Sequence, residues 1–148
     1  MQGDGRTVDP SYKRRLHLPS LSRWFIRTAL AYLLLAFVAG VITPLLRGAS
    51  QLWPTYVHLL VLGWLTQLIF GVAYWMFPRP LPQASRQGER LGWPTYWLFN
   101  TGLLLRIVGE GSWAAGREMN AVLVPAAMLQ LIAGWSFVLM IWPRVRGR

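Results

Sequence analysis

Of the two histidines in the chain, only His58 stands inside a long apolar run; His17 belongs to a basic N-terminal stretch. Neutral imidazole is a common nitrogen ligand of haem iron and of copper. A single histidine suffices as an axial haem ligand. A copper or zinc site needs about three protein ligands, which one such histidine cannot supply. The competing account of His58 is a packed side chain bonded to a neighbouring carbonyl. Arg106 stands at a comparable depth in a later apolar run. A haem held by His58 would project its propionates toward the same side, where arginine is a natural bidentate partner for carboxylates. Arg106 could equally snorkel to the outer headgroups and pair with Glu110 four residues on. His58 and Arg106 are therefore the candidate cofactor-binding residues, with His58 the candidate metal ligand. No catalytic residue is assigned.

Other polar side chains in the apolar runs are few. Gln67, Asn100 and Gln130 fall near mid-run, and Arg27 falls near the start of the first run. Such residues are expensive at membrane depth, so each invites a functional explanation. Gly63, Gln67 and Gly71 recur at i, i+4 and i+8, a small-residue stripe that suits close helix packing. On an unbroken α-helix this stripe lies roughly opposite His58. With no cysteine, the chain offers no disulfide, thiolate metal site or covalent c-type haem attachment. No nucleophile elbow, Walker loop, zincin motif or carboxylate pair occurs. The chain has five acidic residues, all placed by this reading outside helix cores, which leaves no carboxylate for proton pumping.

These side chains need a scaffold, and the composition names its class. Hydrophobic residues make up 54% of the 148-residue chain and charged ones 14%, gathered into runs long enough to cross a bilayer as helices. The expected spans are Trp24–Leu46, Pro54–Phe77, Leu91–Val108 and Asn120–Trp142. Pro54 suits a first turn, and Pro78, Pro80 and Pro143 are read as stops. Gly109 and Gly111 are read as ending the third helix. The fold class is thus all-α, with four transmembrane helices in one domain covering residues 23–143. Basic tails flank it at 1–22 and 144–148. The nine tryptophans suit interfacial belts.

The net charge of +10 sits mainly in the tails and in the segment between the second and third spans. Arg79, Arg86 and Arg90 lie there, whereas the opposite connections carry only Arg47 and Arg117. Basic residues favour the cytoplasmic side, which puts both termini in the cytoplasm of a bacterial or archaeal plasma membrane. The same account removes any need for a nucleic-acid partner.

The second span reads His58-Leu-Leu-Val-Leu-Gly63-Trp64-Leu-Thr-Gln67-Leu-Ile-Phe-Gly71-Val-Ala-Tyr74-Trp-Met-Phe-Pro78. It resembles the H-x-x-x-x-G-W-x-x-x-x-x-x-G-x-x-Y-x-x-x-P helix of the haem–copper oxidase subunit I superfamily, in particular cbb3-like and NnrS-like proteins. Asn100-Thr-Gly102-Leu-Leu-Leu-Arg106 is similar to the N-x-G-x-x-x-R pattern of the helix that follows. The resemblance implies that His58 is an axial ligand of haem b near the outer face. It also implies one four-helix arc of a subunit that normally has three. The copper-binding histidines, second haem ligand and active-site tyrosine of that superfamily have no counterparts here. Copper is expected only if several chains supply ligands together. The expectation is a minimal haem-binding membrane protein for electron transfer or O2/NO binding, acting with an unknown redox partner. It would be a homo-oligomer, a trimer before a dimer. The alternative is a cofactor-free membrane subunit or assembly factor.

Overall fold

The computed structural model describes residues 19–45, 52–77, 82–114 and 120–145, with side chains omitted at 82–89, 113–114 and 144. The expected tails at 1–18 and 146–148 lie outside the described residues. The fold is all-helical. Helix α1 spans Ser20–Leu45. A second rod is built from α2 (Trp53–His58), a π-helical segment (Leu59–Thr66) and α3 (Gln67–Met76). Helix α4 spans Pro82–Ala114 and α5 spans Asn120–Val145.

Each rod buries one stripe. On α1 it comprises Leu21, Phe25, Ala29, Tyr32 and Ala36, a spacing of three and four that defines one helical face. The stripes meet in two apolar clusters. One joins the start of α1 (Leu21, Phe25), the end of the second rod (Tyr74), the first half of α4 (Tyr96) and the end of α5 (Phe137, Met140). The other joins Tyr32 and Ala36 to Leu59 and Leu103. Successive rods therefore run antiparallel. In the first cluster Phe70 stacks on Phe137 with centroids 3.7 Å apart, and Phe25 meets Tyr96 edge-on at 5.1 Å.

The remaining surface is apolar. Leu34, Phe37, Val41, Ile69, Trp97, Trp135 and Leu139 are all more than half exposed. A soluble protein would not leave so much contiguous apolar surface in water. Three rods, Ser20–Leu45, Trp53–Met76 and Asn120–Pro143, are long and apolar enough to cross a membrane, with only 17–28% of each apolar window buried. Helix α4 is longer than any of them. Thr95, Asn100, Arg106 and Glu110 make it the least apolar of the four rods, and Thr95, Asn100 and Glu110 are buried against its neighbours.

Several boundaries differ from the sequence expectation. Helix α4 begins at Pro82, so Arg86 and Arg90 stand on its first turns rather than in a loop. It also runs through Gly109 and Gly111 to Ala114. Gly109 does not break it: a Cβ there would lie 2.8 Å from Leu123, so the missing side chain lets α5 come close. Pro143 lies inside α5 rather than closing it.

The middle of the bundle is tied by polar side chains. Thr28 donates to Gln67 Oε1 at 2.8 Å, and Gln67 Nε2 donates to Asn100 Oδ1 at 3.1 Å. Asn100 Nδ2 donates to the Tyr96 carbonyl at 2.8 Å. This chain links α1, α3 and α4 in an apolar setting, where each such bond contributes roughly 0.6–2 kcal/mol. Gly63 and Gly71 pack against α1: their Cβ positions lie 2.8 Å from Tyr32 and 3.0 Å from Ile26. The small-residue stripe therefore serves helix packing.

Candidate functional site

At the other end of the bundle the chain gathers its buried ionisable groups. His58 closes α2 about one and a half turns into the second rod. Arg106 and Glu110 lie one turn apart on α4, and Gln130 comes from α5. His58 Nδ1 lies 2.8 Å from Glu110 Oε1, and Arg106 Nη1 lies 3.4 Å from His58 Nε2 and 3.7 Å from Glu110 Oε1. Arg106 Nε donates to Gln130 Oε1 at 3.1 Å. Glu110 is 6% exposed, so its carboxylate is taken from solvent.

The two sequence-selected residues, His58 and Arg106, thus come together. Arg106 does not turn outward to the headgroups; it points between α2 and α5 and meets Glu110 at the expected four-residue spacing. Arg27 stands exposed on α1, away from this cluster. His58 is not bonded to a backbone carbonyl; its partners are side chains.

Two local features create the cluster. The first is the π-helical segment Leu59–Thr66, which begins at the residue after His58. In an α-helix a residue five positions on lies about 140° away around the axis. Hydrogen bonding from i to i+5 widens the turn and brings that residue back toward alignment. His58 and Gly63 consequently both meet α4, through Arg106 and Leu103 respectively. The stripe meets α1 through Gly63 and Gly71, and Gly63 also reaches Leu103 of α4, the helix that His58 faces through Arg106. Thr66 Oγ1 also donates to the Val61 carbonyl five residues back, at 2.8 Å. The second feature is Gly102, whose Cβ position lies 2.9 Å from the Ala126 carbonyl and 3.0 Å from Gln130 Cγ. The missing side chain seats Gln130 one turn below Arg106.

Glu110 is offered by the sequence only as the i+4 partner of a snorkelling Arg106, beyond a helix that Gly109 and Gly111 would end. Its buried place on α4 corrects the expectation that no acidic residue lies in a helix core. The available signal was the Arg106–Glu110 spacing, which puts both on one face whenever the helix continues.

The two neighbours of the imidazole bear on its tautomer. A carboxylate oxygen only accepts and a guanidinium only donates. Nδ1 lies 2.8 Å from Glu110 Oε1, within ion-pair range, but makes no aligned hydrogen bond. Nε2 faces the donor-only Arg106 guanidinium at 3.4 Å, an arrangement that suits a lone pair on Nε2 and a proton on Nδ1. Thr55 Oγ1, Glu110 Oε2 and Gln130 Nε2 are buried here without hydrogen-bond partners. Beside the cluster runs an open apolar groove of about 380 Å³, lined by Tyr32, Leu35, Thr55, Leu59, Leu104 and Ile107 among others.

Among the described residues, no group of three or more His, Cys, Asp or Glu side chains is placed to hold a metal ion. His58 and Glu110 together are one donor short of the about three that copper or zinc needs, and the nitrogen left for a single axial bond to haem iron, Nε2, faces Arg106 Nη1 at 3.4 Å. The class defined so far is an all-helical protein with three helices long and apolar enough to span a membrane and a partly buried His–Arg–Glu cluster. Compared with protein-family models, curated proteins and solved structures, the chain matches none.

Proposed function

We propose that this chain is a four-span membrane protein, both termini cytoplasmic, that binds haem b through His58 for electron transfer or for holding O2 or NO. The observation that carries the reading is the pairing of His58 Nδ1 with Glu110, which leaves Nε2 as the lone-pair nitrogen. Metal-bound histidines characteristically present their other nitrogen to a carboxylate or carbonyl in this way. Arg106 is the residue for the propionates, being a bidentate donor beside the ligand. When bound, the haem supplies a one-electron couple and an iron site for a diatomic ligand. The chain's own residues hold it, orient the imidazole and keep water from its apolar face.

The groove beside Thr55 and Leu59 is open, so part of a macrocycle placed there would face lipid. A second or third copy of the chain covers that face in this proposal, and closed symmetry is the usual form of such assemblies. The test is a visible spectrum of the purified protein, oxidised and reduced, with native mass spectrometry of the same sample. A Soret band that shifts on reduction, carried by a trimer or dimer, is the expected result. A haem-loaded monomer would overturn the oligomer.

The 3.4 Å approach of Arg106 to Nε2 favours a second reading. There the cluster is a clasp joining α2, α4 and α5 in a cofactor-free subunit or assembly factor. Colourless protein from haem-replete cells decides for the clasp.

Orientation is checked separately. A cysteine placed at Arg117 should react with an impermeant reagent only from outside, and one at Arg90 only from the cytoplasmic side. The reverse pattern would overturn the assignment.

A further inference from the structure

We infer that Glu110 is the positioning residue of the site: its carboxylate holds His58 in the Nδ1–H tautomer and turns the Nε2 lone pair toward Arg106. The use of that lone pair as an iron ligand rests on the haem reading; the tautomer does not.

Three observations carry it. Glu110 Oε1 lies 2.8 Å from Nδ1, while the opposite nitrogen faces only the donor-only Arg106 guanidinium at 3.4 Å. Both partners therefore demand the same tautomer. The carboxylate is buried on α4 and Gly109, the residue before it, is packed against Leu123, so the pair is held by the backbone rather than by a mobile surface chain. The carboxylate charge is balanced within the site, since Arg106 Nη1 lies 3.7 Å from the same oxygen. A carboxylate behind Nδ1 also makes the other nitrogen a stronger electron-pair donor.

The experiment uses the full chain in detergent, labelled with [15N]histidine and carrying His17→Asn so that only His58 reports. In haem-free protein Nδ1 should appear protonated, with a low-field proton, and Nε2 should appear bare. In Glu110→Gln the Nδ1 proton should move upfield and exchange at least about tenfold faster, as loss of a facing carboxylate charge implies. Glu110→Asp should restore part of the wild-type signal. In haem-loaded protein Glu110→Gln should raise the midpoint potential, because a less electron-rich imidazole favours the reduced iron. Retained helicity and elution volume in Glu110→Gln exclude misfolding as the cause.

A wild-type spectrum with Nε2 protonated overturns the inference, as does a Glu110→Gln spectrum identical to wild type. Protein that never takes up haem but shows the expected nitrogen signals ends the haem reading and leaves this one standing. Protein that binds haem through His58, with signals and potential indifferent to Glu110, does the opposite.

Discussion

Replacing His58 by alanine is expected to remove the Soret band, while His17→Ala leaves it in place. In the proposed haem reading the axial bond is the one strong contact with a b-type haem, since a chain without cysteine offers no covalent attachment. Without it, retention depends on apolar contact in an open groove and on one arginine. Neither fixes iron at a defined point. The loss should therefore be near complete, at least about tenfold in haem per chain at equal protein, which corresponds to about 1.4 kcal/mol of lost binding. The fold should survive, since Glu110 keeps Arg106 beside it and His58 contributes nothing to either apolar cluster. Pyridine haemochrome quantification of both variants checks this. Unchanged haem in the His58 variant would end the assignment.

Arg106→Leu is expected to have the second largest effect, on two readouts at once. Among the described residues, Arg106 is the arginine that meets buried Glu110, and it also binds Gln130 Oε1. Removing one member of a buried pair leaves the other charge without compensation, at a cost on the order of 3 kcal/mol. The melting temperature in detergent should fall clearly. Haem retention should weaken, and the midpoint potential of what remains should drop, because a nearby positive charge favours the reduced state. Arg106→Lys keeps the charge but not the fork, so it should recover most of the stability and less of the haem. A variant that melts and binds as wild type does would show that the guanidinium serves neither partner.

Much of the scaffold was legible because burial in lipid is a composition property. A bilayer requires long apolar helices, and the runs of Leu, Val, Ile, Ala and Phe marked all four rods to within a few residues at most ends. His58 and Arg106 were also legible, since an ionisable side chain in an apolar run stands out whatever it packs against. The local punctuation was not. Gly109 has the same sequence signature whether it ends a helix or lets a neighbour approach, and only the position of Leu123 decides between the two. Read as a helix end, Gly109 leaves Glu110 outside the helix core as an arginine partner only, and its approach to His58 stays hidden.

The sequence by itself determined the class of the protein, the number and rough extent of its helices, and which rare polar residues matter. These follow from hydropathy and residue chemistry, both properties of short segments. Only the tertiary structure decided that His58, Arg106, Glu110 and Gln130, on three different rods, form one cluster. The physical reason is rotational register. The π-helical segment after His58 turns that residue relative to the rest of its rod, and Gly102 and Gly109 set how closely α5 lies on α4. Hydropathy is nearly uniform around these helices, so it carries no record of which way such side chains point.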